Sequence, residues 1–184
     1  MSTLRVDNLN SRTTNKITVP TGTSLYAPGH IVQVRTVTSG FTNQTINSAT
    51  PVALTGMSVT ITPVYATSKI LIQAAISGSW TYVASAHVYR NGSDMIANHG
   101  GNNQTGGGTA LYTTYFPFPT DSTADSIRIY PLLYEDSPAT TSSTTYAIYV
   151  NAGWSGGTNA FYFNNRAGLD MLSSSYMTVM EIAQ

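Results

Sequence analysis

The sequence has no cysteine. That removes disulfide scaffolds, thiolate metal sites and cysteine nucleophiles together. Charge is nearly as scarce: 9% of the 184 residues are Asp, Glu, Lys or Arg, where an average soluble protein has roughly 25%. Eight basic residues balance eight acidic ones, so no basic excess neutralises phosphates and the composition argues against nucleic acid as a partner. No apolar run approaches the roughly 18 residues that cross a bilayer, so membrane insertion is not expected. The opening Met1-Ser2-Thr3-Leu4-Arg5-Val6-Asp7 lacks the apolar stretch of a secretory signal, which points to synthesis in the cytosol. Helical periodicity is missing too, since no segment sustains a 3.6-residue apolar repeat between caps.

What replaces charge is uncharged polarity. Ser and Thr make up about a quarter of the chain, Tyr occurs 12 times, and 41% of residues are hydrophobic. Apolar content of that order excludes disorder driven by charge, and the length supports a real core. Near-zero net charge also favours self-association.

Apolar and polar residues alternate with period two almost throughout, as in strands with one buried face. Strands are expected at 31–37, 57–62, 69–76, 80–90, 94–97, 110–116, 126–134, 144–150, 160–163 and 176–182. The 69–76 run is the most continuously apolar and should lie centrally. Asn91-Gly92 marks a hairpin, because both residues tolerate the positive φ of a type I′ turn. Pro131 suggests an edge or a bulge. About nine strands divided by Gly, Ser, Asn and Pro loops predict an all-β, antiparallel, jelly-roll-like sandwich over residues 30–184.

Residues 1–29 read differently, as an extended arm. Leu4, Val6 and Leu9 are isolated apolar residues in a polar stretch, too few to bury one another. Val19-Pro20-Thr21-Gly22 is echoed by Ala27-Pro28-Gly29, and Pro and Gly keep such steps out of helices and sheet interiors.

The two ends of the chain carry a resemblance. The opening ten residues, the Val19-Pro20-Thr21-Gly22 step and Ala27 to Val34 resemble the start of small bacteriophage fibre proteins of the kind carried by phages of cyanobacteria. Ile61-Thr62-Pro63 to Ile72, Tyr134-Glu135-Asp136-Ser137-Pro138 and Met177 to Ile182 are similar to the same proteins. The resemblance implies a homotrimeric virion appendage, with the arm on the particle and the β-domain outward. Leu4, Val6, Leu9 and Val19 would then serve trimerisation and attachment to other virion proteins. The function expected on this basis is a virion structural protein of a tailed bacteriophage, a short tail fibre or spike that contacts the host. A capsid decoration or head-fibre protein and a stand-alone carbohydrate-binding module are the alternatives.

Catalytic motifs are poorly supported. Gly153-Trp154-Ser155-Gly156-Gly157 matches the G-x-S-x-G elbow, but turn and strand residues follow it where the elbow needs a helix. His30, His87 and His99 all precede its serine, against the hydrolase order. Glu135 and Asp136 are adjacent on a strand and so point to opposite faces, while Asp121 and Asp125 sit in a polar loop. No metal-binding spacing occurs, although His30, at the junction of arm and domain, would lie near a trimer axis. No enzyme activity, cofactor or metal is therefore expected. Three N-x-S/T triplets, at Asn43, Asn91 and Asn103, follow from composition. Ligand recognition falls to the amide-rich 98–108 loop, with Asn98, His99, Asn102, Asn103 and Gln104, and to the loop holding Trp154. Amide groups suit the hydroxyls of a host-surface glycan, and Tyr112 or Tyr115 offers a stacking face. Trp80 and Trp154 read as core or interface residues rather than sugar platforms.

Overall fold

The computed structural model describes residues 27–81, 84–95, 115–116, 124–152 and 160–184. Among them every regular element is a strand: β1 (Ile31–Thr38), β2 (Gln44–Ile46), β3 (Val52–Ile61), β4 (Lys69–Trp80), β5 (Ala84–Arg90), β6 (Ser93–Asp94), β7 (Tyr115–Phe116), β8 (Arg128–Asp136), β9 (Thr144–Ala152), β10 (Phe161–Phe163) and β11 (Tyr176–Ile182). All pairings are antiparallel. Two sheets face one another across a single core, the arrangement of a β-sandwich.

The first sheet is built around β4. β8 lies along one of its edges, β11 and β10 lie end to end along the other, and β1 and β2 extend these outward. This central place accounts for the apolar run at 69–76, whose even-numbered residues Ile70, Ile72, Ala74 and Ile76 enter the core. Among the described residues β8 pairs with β4 alone, and such an edge accommodates Pro131, which has no N–H to donate outward. The second sheet runs β3-β9-β5, with β6 and β7 sharing the far edge of β5. Tyr146, Ile148, Val150 and Ala152 of β9 meet the first sheet across the interior. The 44–46 strand is too short for periodicity to reveal. Gln44 anchors it, its Oε1 accepting from Thr55 N at 3.0 Å and its Nε2 donating to Ala53 O at 3.0 Å.

Uncharged hydroxyls do the cross-strand work that ion pairs do in more charged sheets. Thr36 faces Thr178 at 3.0 Å and Thr60 faces Thr145 at 2.8 Å between hydroxyl oxygens. At one end of the sandwich, Asn164, Ser39 and Ser175 form a buried network. The Asn164 Nδ2 donates to Ser39 Oγ at 2.7 Å, and Ser175 Oγ donates to Asn164 Oδ1 at 2.6 Å. Nearby, β10 crosses so close to Gly78 that an added Cβ would fall 2.5 Å from Tyr162 O. No larger residue fits there without moving the strand.

The opposite end is closed by carboxylates. Glu181 of β11 is fully buried, and four donors converge on it. Its Oε1 accepts from Val64 N at 2.8 Å, Tyr65 N at 3.2 Å and Ser68 Oγ at 2.7 Å; its Oε2 accepts from Gln33 Nε2 at 2.6 Å. The β3–β4 connection is thereby tied to the last strand. Burial acts to raise the pKa of Glu181, but the hydrogen bonds from Gln33, Ser68 and the two backbone N–H groups outweigh it and hold the carboxyl below its ordinary 4.5. Two strands away, buried Asp136 takes Arg90 Nη1 on both oxygens, at 3.0 and 2.9 Å, and accepts from Tyr146 OH at 2.6 Å.

A folded pKa below the unfolded one means that the Glu181 contribution is complete above about pH 4.5 and is lost as pH falls through the lower folded value. Glu181→Gln puts an amide where four donors need an acceptor, and should cost about 2–4 kcal/mol in urea unfolding at pH 7. The difference between wild type and variant should shrink on acidification. A gap that stays constant down to pH 3 would show that the charge on Glu181 does not matter.

Candidate functional site

On β5, Ala84, Ala86 and Val88 face the core, so the alternation turns Ser85, His87 and Tyr89 to the other face of the sheet. The turn after β5 then selects what joins them. Asn91 and Gly92 adopt φ values of 50° and 84°, a two-residue hairpin that pairs Arg90 with Ser93 and Tyr89 with Asp94. Asp94 thereby lands diagonally beside His87. From the other side, β9 brings Asn151 opposite Ser85 and Tyr149 opposite His87.

Hydroxyl, imidazole and carboxylate meet in this cluster. His87 Nδ1 lies 2.9 Å from Asp94 Oδ2, and its Nε2 lies 3.2 Å from both Ser85 Oγ and Asn151 Oδ1. The distances suit a Ser-His-Asp relay, but the polarity does not. Asn151 donates from Nδ2 to Ala49 O at 3.1 Å, which turns its Oδ1 toward the cluster as an acceptor, and Ser85 donates its hydroxyl proton there. With that proton pointed at Asn151, Ser85 has none to give to His87 Nε2. A hydrolase needs the reverse, with Nε2 taking the serine proton. The backbone at Ser85 is also committed to ladders on both sides, with Asn151 and with Tyr115. His87 is 1% exposed, so the cluster is a buried polar knot that joins β5, β6 and β9.

Beside it, Tyr89 and Tyr149 stack with ring centroids 3.7 Å apart and planes inclined by 17°. Burial, then the Asp94 carboxylate and Tyr149, raise the Tyr89 phenol above its ordinary value. Both rings are half-buried. The pair makes a small aromatic platform bordered by amide, hydroxyl and carboxylate groups.

The residues singled out in the sequence fall elsewhere. Leu4, Val6, Leu9 and Val19 of the arm lie outside the described residues, as do Asn98, His99, Asn102, Asn103, Gln104 and Trp154, the 153–157 motif, Tyr112 and Asp121. Of those that are described, His30 closes the turn into β1, its Nδ1 lying 2.5 Å from Ala27 O. Glu135 and Asp136 diverge as adjacent strand residues must: Glu135 is exposed and pairs with Lys69 at 2.7 Å, while Asp136 is buried on Arg90. Trp80 is buried in the core, tilted against Phe161, with the Arg128 guanidinium 5.7 Å from its ring centroid. Among the described residues no group of three or more His, Asp or Glu side chains is placed to hold a metal ion. No protein-family model matches the chain, and no curated protein matches it.

The cluster around His87 was missed in the sequence, yet its signal was present. Ser85, His87 and Tyr89 alternate along one strand face, and the two-residue Asn91-Gly92 turn fixes Asp94 on that face by register. Only Asn151, which depends on pairing across some 60 residues of chain, needed coordinates.

Replacing His87 by Leu should leave Asp94 and Asn151 without their shared imidazole partner and cost about 2–4 kcal/mol by urea denaturation. Ser85→Ala, which retains the imidazole, should cost less than half as much. Equal losses would mean that the hydroxyl, not the ring, holds the knot together.

Proposed function

We propose that this chain is a virion structural protein of a tailed bacteriophage, a short homotrimeric fibre or spike. Residues 1–29 are its attachment arm and residues 30–184 a jelly-roll domain directed outward. The jelly-roll reading is supported by four strand pairs. A jelly roll is a long two-stranded ribbon wound around a barrel-like core, and its eight strands pair first with last, second with seventh, third with sixth and fourth with fifth. With the short β2, β6 and β10 set aside, the corresponding pairs are β1–β11, β3–β9, β4–β8 and β5–β7.

The observation that carries the functional reading is the polarity of the domain. The chain enters the sandwich where it also finishes, Gly29 N donating to Ala183 O at 2.7 Å and Ala183 N to His30 O at 3.0 Å. Ala152 and Ala160, which flank the Trp154 loop, lie at the opposite end, as does Tyr115, which follows the 98–108 loop. Ala152 pairs there with Ala84, Ala160 O accepts from Thr81 N at 3.2 Å, and Tyr115 pairs with Ser85. Attachment at one end and recognition at the other is what an appendage requires. The resemblance to phage fibre proteins and the scarcity of charge point the same way.

Deletion of residues 1–15 should abolish incorporation into particles while the domain keeps its strand-rich circular dichroism and cooperative unfolding. A truncated chain that is still packaged would remove the arm from the attachment role.

The Tyr89–Tyr149 platform favours a second reading, in which the chain itself binds a host-surface glycan. Aromatic faces offer apolar area at low entropic cost, and the neighbouring polar groups supply orientation. Tyr149→Ala should then weaken adsorption of the purified protein to host envelopes while Phe41→Ala, elsewhere on the surface, should not. Equal adsorption of both variants would dismiss the platform.

A further inference from the structure

The outer face of the β1-β11-β4-β8 sheet departs from the expected pattern of an antiparallel sandwich, whose outward residues are ordinarily polar. Its cross-strand rows follow from the register. Thr38, Tyr176, Ala75 and Pro131 form one row; Thr36, Thr178, Gln73 and Leu133 the next; Val34, Met180, Leu71 and Glu135 a third. Ile129 stands opposite Ser77 at one end. Large apolar side chains here are open: Ile129 is 70% exposed, Val34 50%, Tyr176 43% and Leu133 40%. The loop after β10 adds to them. Ser173 is bound to Ser77 Oγ at 2.8 Å and Ala167 N to Ala124 O at 3.2 Å, which holds exposed Leu169, Met171 and Leu172 at that same end. Open apolar side chains of this size and number mark an interaction site.

We infer that this face is the surface through which copies of the chain pack against one another, which rests on the homotrimeric reading above and locates its interface. Charge is the first argument for a second copy as the occupant. Among the described residues the only charged side chain on these rows is Glu135, and Lys69 of the next row neutralises it at 2.7 Å. At the loop, Arg166 is paired with Asp170 and also faces the Asp125 carboxylate. Around a threefold axis identical residues of the three copies meet, and a face with so little unpaired charge suffers little like-charge repulsion there. A lipid surface or an acidic partner would call for lysines and arginines that the rows do not hold.

Shape and size agree. The open apolar side chains stand on the face of the sheet rather than along its β1 and β8 edges, and a flat sheet face suits another sheet. Four strands about 4.8 Å apart and some eight residues long give roughly 500 Å² of flat area. Side-chain relief and the three apolar loop residues bring this to the scale of the roughly 800 Å² that each partner contributes to a standard interface.

The test is light scattering during size exclusion on the full chain and on Leu133→Glu and Ile129→Lys, with Val64→Lys as an exposed apolar control away from the rows. Circular dichroism checks that each variant keeps its strands, and both face positions are exposed enough for the fold to survive. Wild type and Val64→Lys should elute at three times 19.6 kDa, and the two face variants should fall threefold, to a single chain. Face variants that keep the wild-type mass would overturn the location of the interface while leaving the oligomer intact. Wild type at the mass of one chain would overturn the oligomeric reading itself, and the interface with it.

Discussion

Asp136 enters the interior from β8 and meets Arg90 from β5 and Tyr146 from β9, so one buried charge fastens strands of both sheets. Burial, followed by the hydrogen bond to Asp136, pushes the Tyr146 phenol well above its ordinary value, which keeps it a donor. Two strand spacings across the sheet, about 10 Å, on the other side of Ile70, Glu181 does comparable work for the connection between β3 and β4. In the row Gln33–Glu181–Ile70–Asp136, the end of the core is sealed by two carboxylates rather than by apolar bulk. Removing either partner of such a group leaves a charge stranded in low dielectric, which is why these contacts constrain register more strongly than their number suggests.

The far end obeys the same requirement with neutral groups. Strand ends expose carbonyl and amide groups that must be paired if they are buried. Asn164, at φ 54°, turns its side chain inward and spends its amide on Ser39 Oγ and on Thr42 O at 2.9 Å. Ser175 links that amide to Ser77 N at 2.8 Å. Gly78 completes the arrangement by letting β10 approach. The apolar core thus lies between two polar closures, one ionic and one uncharged.

Period-two alternation made the strands of the core legible, because burial on one face leaves a mark on every second residue. β4 was readable as central from its continuous apolar run, Asn91-Gly92 as a hairpin from the φ that it permits, and Pro131 as an edge residue from its missing N–H. β2 was illegible: three residues carry no period, and Gln44 is held by tertiary hydrogen bonds. The polar closures were illegible for a related reason. Nothing local distinguishes Glu181 from an exposed carboxylate, since its four donors come from Gln33 and a loop more than 100 residues away in sequence. The cluster around His87 stood between these extremes, with one half written in strand alternation and the other in long-range pairing.

Low charge content links the interior to the surface. Asp94, Glu135, Asp136, Asp170 and Glu181 each hold a named partner, and two of them are buried at the end of the core. Most of the charges among the described residues are thus committed to structure, and the exposed sheet faces are left largely to Thr, Ser, Gln and apolar residues. For a lone domain this is hazardous, because net neutrality and open apolar area together promote indiscriminate association. Between identical copies around an axis it is an advantage. Neutral faces pack closely there, and desolvation strands no charge. On this view the scarcity of charge and the bare outer face of the β4 sheet have a single cause, a surface made to be covered by its own copies.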